Sequence, residues 1–362
     1  MKKLFFTLVV SVLFVCILEQ KAEPEAQKIE LKFISNYMES HKTVKDVLNP
    51  WMKKVDEISG GKVKIHFFSP NTLCSAKDVY DSVVTGIADI GSINPGYTPG
   101  KFRLLEVLEL PMITTSAESG AMINWELYQR FPEWREQQKD TKILWYWAAT
   151  PFQVCTVKKP VRTLQDLAGL KMIVWNDKSA QIVKLLGANP IQMSSPDTYL
   201  ALERGMADGV FAPLAPLKST KISDITRHYT IIDSNNVAFS QVMNINRFNN
   251  LPPDIKSFFD KSCSAQMSSL MGKSLDQGVI DDIQWMESKG HTFYTLTPEE
   301  KKRWVEKLKL MHGNWVKSME ARGYTKAREI LNEAVKLGQE YTGKTGKGYE
   351  GKKPEEYLKQ IF

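Results

Sequence analysis

The segment 158–213 alternates three short apolar strands with two helices, and this order constrains the fold more than any other part of the chain. The first helix stops at Gly187, a residue suited to a left-handed helix cap. The second begins at Ser195 and Pro196, which match an N-cap followed by proline at the first helical position. Strands separated by single helices favour a parallel sheet with right-handed crossovers. The strands are predicted over residues 170–174, 190–193 and 208–211.

A second region of the same kind lies nearer the N-terminus. Its strands are predicted over 29–34, 63–68 and 88–93, and its helices over 44–58 and 75–85. Two such regions predict two α/β lobes. We expect chain crossings near 149–151 and 235–245 to form a hinge between them, with a strand over 237–245 and a helical stretch from 252 to 288. Pockets favour domain interfaces, so we expect a binding site between the lobes.

The N-terminus has the pattern of a secretory signal peptide. Lys2 and Lys3 precede an apolar run over residues 4–18, which is short for a membrane span and typical of a signal. We expect cleavage after Ala22 or Ala26, with a retained anchor or lipidation at Cys16 as the alternatives. The mature protein is therefore expected in the periplasm.

The charge of the chain does not indicate nucleic-acid binding. The formal net charge is +7 over 362 residues, and apart from the tail the lysines are spread along the chain. A diffuse excess of this kind favours solubility rather than a nucleic-acid surface. We expect no nucleic-acid partner.

Motifs for catalysis or cofactors are not indicated. Cys74, Cys155 and Cys263 follow the signal without zinc or redox spacing, so we interpret them as small buried residues and expect no metal ion and no cofactor. Residues 338–345 match the phosphate-binding pattern G-x-x-x-x-G-K-[ST] letter for letter. A helical pattern precedes the match where the mechanism needs a strand, so we assign no nucleotide site. The chain is not expected to be an enzyme.

Short motifs within 158–213 form an ordered set. They read T-x-x-D-L-x-G-L-K, then L-G-A-x-P, then Y-x-A-L-x-x-G-x-x-D-G. The matching residues are Lys158, Lys159, Pro160, Val161, Thr163, Asp166, Leu167, Gly169, Leu170, Lys171, Leu186, Gly187, Ala188, Pro190, Tyr199, Ala201, Leu202, Gly205, Asp208 and Gly209. This set resembles the solute-binding proteins of TRAP transporters, the DctP family. The resemblance implies an α/β, two-lobed periplasmic binding protein fold with a hinge and a long bridging helix.

The resemblance also implies boundaries and partners. We expect 1–26 to be the signal peptide, 27–149 with about 243–282 lobe I, 150–242 with about 283–342 lobe II, and 343–362 a C-terminal tail. Residues 343–353 of this tail are rich in glycine and lysine and are expected to be mobile. The protein would capture a small-molecule solute and deliver it to TRAP membrane permease subunits. A binding protein that serves a sensor is the alternative.

The chain departs from the family at two positions that bear on the ligand. Ile173 and Phe152 occupy positions where family members carry arginines that grip a carboxylate. A carboxylate in a dry cleft needs a cation or several hydrogen bonds. We therefore favour an aromatic or amine-bearing solute, because aromatic faces bind rings and ammonium groups. The alternative is a carboxylate held by a displaced cation, Lys178 or Arg103.

Candidate ligand-binding residues follow from family positions at strand ends and loops, where open α/β sheets bind ligands. Trp175 is the leading candidate, because a tryptophan beside asparagine and aspartate at a strand end is poorly explained as core. The full set is Trp175, Phe152, Ile173, Asn176, Trp147, Gln153, Phe211, Asn36, Tyr37, Asn94, Tyr97, Phe239 and Gln241.

Overall fold

The computed structural model describes residues 28–98 and 100–362. The predicted signal peptide over 1–26 lies outside these residues. Within the described ranges, no helix combines the length and the apolar character that a bilayer crossing requires.

The described residues form strands and helices in frequent alternation. The strands are β1 (Ile29–Ile34), β2 (Val63–Phe68), β3 (Ile90–Ile93), β4 (Thr141–Ala148), β5 (Phe152–Thr156), β6 (Lys171–Val174), β7 (Asn189–Gln192), β8 (Gly209–Pro213), β9 (His228–Ile231), β10 (Ala238–Asn244) and β11 (Thr292–Thr295). The helices are α1 (Asn49–Ile58), α2 (Val79–Val84), α3 (Ala117–Arg130), α4 (Pro132–Glu136), α5 (Leu164–Leu167), α6 (Asp177–Leu186), α7 (Ser195–Glu203), α8 (Ile245–Asn249), α9 (Pro253–Ser262), α10 (Ala265–Ser288), α11 (Pro298–Leu308), α12 (Leu310–Glu320), α13 (Ala327–Tyr341) and α14 (Pro354–Ile361). A π-helical turn over Val44–Leu48 leads into α1.

The first sheet, which we call lobe I, has five strands in the order β2-β1-β3-β10-β4. β1 runs parallel to β2 and β3, while β10 runs antiparallel to β3 and β4. Alternate residues face two cores: Phe33 packs with Trp51 and Trp145 on one face, and Ile34 packs with the α2 side on the other. The predicted strand-helix-strand order over residues 29–93 is therefore confirmed.

The second sheet, which we call lobe II, has six strands in the order β11-β9-β5-β8-β6-β7. Segment 158–213 supplies β6, β7 and β8 in the predicted parallel arrangement. Gly187 ends α6 with a φ of 100°, as predicted, whereas Ser194 rather than Ser195 takes the N-cap position of α7. β5 and β11 were not predicted from the sequence.

Two short segments connect strands of the two lobes, over residues 149–151 and 232–237. β4 ends at Ala148 and β5 begins at Phe152, so the first crossing lies where it was expected. The second crossing precedes β10, which pairs along its length with lobe I strands. Residues 238–242, which the sequence assigned to lobe II, therefore pair in the lobe I sheet, because the edge of β3 needs a hydrogen-bonded neighbour.

Helix α10 spans both lobes. Met267, Leu270 and Met271 in its first half are buried in the lobe I core. Val279, Ile283 and Met286 in its second half pack with the lobe II core. The helical stretch expected from 252 to 288 is split into α9 and α10, because Ser264 caps α10 by accepting a hydrogen bond from the Met267 amide at 3.1 Å.

Helix α10 crosses the N-terminus of α3 at very close range. A Cβ on Gly272 would lie 2.3 Å from the Cα of Glu118, so only glycine permits this approach. One turn further along, the Asp276 carboxylate accepts the amides of Ala117 at 2.9 Å and Glu118 at 3.0 Å. Helix N-termini favour such carboxylates, yet burial raises the pKa of Asp276 to about 7.

The tail expected to be mobile is folded. Tyr349 is 5% exposed and Leu358 in α14 is 6% exposed, and the Phe362 ring stacks on Phe258 with centroids 4.5 Å apart. The apolar residues of the tail are spaced to pack against lobe I, which the high glycine and lysine content concealed. The phosphate-loop pattern begins inside α13, and no helix starts after it until Pro354, so the strand-loop-helix arrangement is missing there.

We expect Gly272→Ala to lower the free energy of unfolding by about 1–3 kcal/mol, because the added methyl group meets the α3 backbone. Gly278→Ala on the same helix is the matched control, since a Cβ there meets only the Lys42 side chain, at 3.9 Å. The control should raise stability by about 0.5–1 kcal/mol, the usual gain from replacing helical glycine. Urea denaturation measures both values, and equal effects of the two substitutions would contradict the close contact.

We expect Asp276→Asn to flatten the pH dependence of stability between pH about 4 and about 7. Because the folded protein holds the Asp276 proton more tightly than the unfolded chain, the free energy of unfolding falls as pH rises through this window. The loss in the wild-type protein should be on the order of 1–4 kcal/mol. Urea denaturation across the window measures it, with Asp281→Asn, an exposed carboxylate on the same helix, as control. A variant slope equal to that of wild type would rule out the assignment.

Candidate functional site

The carboxyl edges of the two sheets face each other. β4 ends at the carboxyl edge of lobe I, and the crossing 149–151 leads directly to β5, which is antiparallel to its neighbours and therefore starts at the carboxyl edge of lobe II. The crossing 232–237 joins the same two edges in the other direction. Residues at the carboxyl ends of both sheets therefore line one cleft, where ligands of α/β proteins bind.

An uninterrupted row of aromatic rings forms the lobe I wall of this cleft. Phe239 stacks on Trp147 with centroids 3.8 Å apart and planes inclined by 4°. Tyr37 contacts Trp147 at 5.2 Å, and His41 stacks on Tyr37 at 4.0 Å. The faces of Trp147 are thus covered by protein, and its side chain is 1% exposed. The ends of the row, rather than its centre, can meet a ligand.

The aromatic row is electrically neutral at pH 7. Burial lowers the pKa of His41 to about 4, so its imidazole is uncharged. Burial raises the pKa of Tyr37 well above its ordinary value, so its phenol keeps its proton. An apolar ring could pack here without meeting a charge.

Several buried donors beside this row have no hydrogen-bond partner within the described part of the chain. They are the Nδ2 of Asn36, the Nε1 of Trp147 and the Nε2 of Gln241. The Gln241 amide oxygen is already used, because it accepts from the Ser92 hydroxyl at 2.7 Å. Buried donors without partners are costly, so this wall is suited to a ligand that brings oxygen acceptors.

Three of the predicted site residues are buried in the core of lobe II instead of lining an open space. Ile173 and Phe211 are 0% exposed and Phe152 is 3% exposed. Phe152 and Phe211 pack with ring centroids 5.5 Å apart, and Ile173 packs with Cys155 and Val210. They give lobe II an apolar interior beneath the cleft.

Gln153 holds the second crossing in place. Its side-chain oxygen accepts the amides of Ile232 at 2.7 Å and Asp233 at 3.0 Å, and its nitrogen donates to the Asp233 carboxylate at 2.8 Å. The oxygen and the nitrogen of the Gln153 side chain thus both bond to residues 232–233 of the second crossing. Burial raises the pKa of Asp233 above its ordinary value.

The other predicted residues lie at the rim. Asn94 and Asn176 cap local turns, accepting from the amides of Gly96 at 2.9 Å and Ser179 at 2.8 Å. Trp175 is half-buried and donates its indole N–H to Thr198 at 3.0 Å. Tyr97 is 49% exposed. The structure therefore gathers Asn36, Tyr37, Trp147, Phe239 and Gln241 at one wall, with Trp175 and Asn176 on the opposite lobe.

A charged stripe on lobe I was not recognised in the sequence. The 3₁₀ helix Leu105–Glu109 follows β3, and residues three apart eclipse on such a helix. Arg103, Glu106 and Glu109 therefore share one face, and they are the half-exposed positions in a stretch whose other residues are buried. The signal was present as one charged residue in every three over residues 102–110.

Lys178 at the start of α6 reaches this stripe from lobe II. Its ammonium lies 3.0 Å from Glu106 and 3.5 Å from Glu109. Burial raises the pKa of Glu109, although Lys178 partly opposes this. Lys178 thus forms ion pairs with two glutamates of the opposite lobe, so its charge is already compensated within the protein.

A groove of about 430 Å³ lies at the opposite end of lobe I, beside Glu30, Lys32 and Arg247. Two of its charges are paired with each other, because the Asp89 carboxylate lies 3.2 Å from Arg247 Nε; the same carboxylate accepts the Lys32 backbone amide at 2.7 Å. This groove offers no convergent set of free groups comparable to the cleft wall.

A family model and individual relatives of the chain both belong to the bacterial solute-binding proteins. Residues 34–318 match the family model described as bacterial extracellular solute-binding protein, family 7, DctP. Among curated relatives, the uncharacterized protein YiiZ of Salmonella typhimurium is 28% identical over 54% of this chain and 60% of its own length. The C4-dicarboxylate-binding periplasmic protein DctP of Rhodobacter capsulatus is 23% identical over 71% of this chain and 78% of its own length.

Solved structures with the same architecture are TRAP solute-binding proteins. The protein from Desulfovibrio salexigens superposes with a TM-score of 0.81 at 27% identity, covering 89% of this chain and 99% of that chain. The protein from Rhodoferax ferrireducens, solved with copurified benzoate, has a TM-score of 0.77 at 28% identity, covering 87% and 99%. A marine metagenome protein described as specific for aromatic acid ligands, in complex with metahydroxyphenylacetate, has a TM-score of 0.78 at 25% identity, covering 87% and 99%.

We expect Lys178→Met to shift the ligand-free protein toward a more open arrangement of the lobes, because Glu106 and Glu109 lose their common cation. The two ion pairs should contribute about 0.5–1.5 kcal/mol to closure, so the open population should rise about two- to ten-fold. Small-angle X-ray scattering measures the change as a larger radius of gyration. Lys184→Met is the matched control, an exposed lysine on the same helix. Identical scattering from both variants would contradict a role in closure.

Proposed function

The chain belongs to family 7 of the bacterial extracellular solute-binding proteins, and on that premise we propose that it captures an aromatic carboxylic acid between its two lobes. The family match confirms the DctP resemblance, and the structural similarity confirms the two-lobed α/β fold. The protein is a TRAP solute-binding receptor and not an enzyme. The identity of its solute, its hinge and its delivery to a permease belong to the proposal.

The observation that carries this proposal is the combination of an uncharged aromatic row with unpartnered buried donors. A ring can pack against the Phe239 end of the row. The donors on Asn36, Trp147 and Gln241 need acceptors, and a carboxylate supplies two oxygens with several acceptor positions. One end of the ligand would then be apolar and the other anionic.

Similar proteins support an aromatic acid over a simple dicarboxylate. Benzoate and metahydroxyphenylacetate occupy two structural neighbours that are 28% and 25% identical to this chain. The relative described as binding C4-dicarboxylates is 23% identical. A second carboxylate would also need a second cation within the cleft, where Lys178 is already shared by two glutamates.

An amine is less well matched to the same wall. The aromatic half of the expectation from the sequence is kept in this proposal, but an ammonium group has only donors to offer. It would leave the orphaned N–H groups unsatisfied. The glutamates that could neutralise it, Glu106 and Glu109, already pair with Lys178.

The hinge and the cellular setting complete the proposal. Residues 149–151 and 232–237 would bend so that lobe II closes over the bound acid, as in other hinged clefts. The N-terminal signal pattern would direct export to the periplasm. There the closed, loaded protein would deliver its solute to TRAP membrane permease subunits.

A thermal-shift panel tests the ligand class. Benzoate and 3-hydroxybenzoate should raise the melting temperature, because a ligand that binds only the folded state stabilises it in proportion to RT ln(1 + [L]/Kd). Benzylamine, succinate and cyclohexylmethanol should give little or no shift at the same concentration. Stabilisation by succinate or benzylamine, with no response to either aromatic acid, would overturn the proposal.

The aromatic row can be tested with one substitution. Phe239→Leu should weaken binding of the aromatic acid about two- to ten-fold, the equivalent of about 0.5–1.5 kcal/mol of ring packing. Isothermal titration calorimetry measures the change. Phe293→Leu is the matched control, because Phe293 stacks on Tyr229 at 4.8 Å in β11, at the far edge of lobe II. An equal loss in both variants would mean that the effect is not local to the cleft.

A further inference from the structure

The geometry points to Arg103 as the cation that binds the carboxylate of the solute, an assignment that rests on the proposed function. A carboxylate removed from water needs a charged partner, and arginine can grip both of its oxygens at once. The question is therefore which cation at the cleft is free to do so.

Competing cations near the cleft are already paired. Lys178 is held by Glu106 and Glu109. Lys101 lies 2.8 Å from the Asp81 carboxylate, and Lys42 lies 3.1 Å from Asp46. Arg103 is half-buried, and its guanidinium makes no hydrogen bond or ion pair with any residue in 28–98 or 100–362. A partly buried guanidinium without an anionic partner has donors that a ligand carboxylate can satisfy.

The chain around Arg103 meets lobe II through its neighbour Glu106. The Arg103 carbonyl accepts the Glu106 amide at 3.3 Å, so the two residues lie one turn apart. The Glu106 carboxylate reaches Lys178 at the start of α6 in lobe II. The Arg103 guanidinium lies against Gly100, in the loop that follows β3. Arg103 is therefore one turn from a contact between the two lobes.

The loop after β3 leaves room for this guanidinium. A Cβ on Gly100 would be 2.8 Å from Nη2 of Arg103, too close for any other residue without movement. Gly100 also has a φ of 86°, a conformation that side chains disfavour. Glycine thus leaves space for the guanidinium beside the loop backbone.

The lysine bridge across the cleft keeps Arg103 available. Glu106 and Glu109 are the nearest carboxylates along the stripe, and without Lys178 they would compete for the guanidinium. Because Lys178 lies 3.0 Å from Glu106 and 3.5 Å from Glu109, the glutamates are neutralised from the opposite lobe.

Calorimetric titration of the exported protein with benzoate and with its neutral analogue benzamide tests the assignment. Arg103→Gln should weaken benzoate binding about ten- to a hundred-fold and leave benzamide binding nearly unchanged. Arg103→Lys should retain part of the preference for benzoate, because the charge remains while the two-pronged contact is lost. Arg204→Gln, an exposed arginine at the end of α7, should bind both compounds as wild type does.

The outcomes separate this assignment from the proposed function. Unchanged benzoate affinity in Arg103→Gln, or an equal loss of benzoate and benzamide, would overturn the role of Arg103. If the wild-type protein binds succinate and not benzoate, the aromatic-acid proposal fails. The same variants are then titrated with succinate, and an unchanged succinate affinity in Arg103→Gln would overturn the role of Arg103. Binding of no carboxylate by the wild-type protein would overturn both.

Discussion

The contact between α10 and the N-terminus of α3 is the interaction on which the rest of the structure depends. Gly272 lets the two backbones meet, and Asp276 accepts two amides that α3 cannot satisfy within itself. Because the same helix continues into the lobe II core at Ile283 and Met286, this contact sets where lobe II stands relative to lobe I. The buried carboxylate is costly to ionise, and the two N–H groups offset part of that cost.

The cleft divides its tasks between the lobes. Lobe I supplies the aromatic row, the unpartnered donors and the charged stripe, whereas lobe II supplies Lys178 and a sealed apolar interior beneath its strand ends. Gln153 ties the crossing at residues 232–233 to β5 through a buried side chain. Lys178 meets Glu106 and Glu109 where lobe II contacts lobe I.

Several candidate residues have surroundings that differ from those expected from the sequence. Trp147 was expected to offer its ring face, but Phe239 and Tyr37 cover it, so the indole contributes its edge and its N–H. Ile173 and Phe152 were expected to line the cleft and are instead buried in packed core. Strand-end position can be read from local pattern, whereas the exposure of a ring depends on neighbours far away in the chain.

The sequence by itself determined the order of strands and helices, the two α/β regions and the family, because apolar periodicity, caps and turn residues act over a few residues. Tertiary structure alone decided that β10 joins lobe I, that the tail docks through Tyr349 and Leu358, and which donors lack partners. It also decided that Lys178 meets a glutamate 72 residues away. Such pairings arise when the two lobes pack against each other, and no local pattern encodes contacts between residues so far apart in the chain.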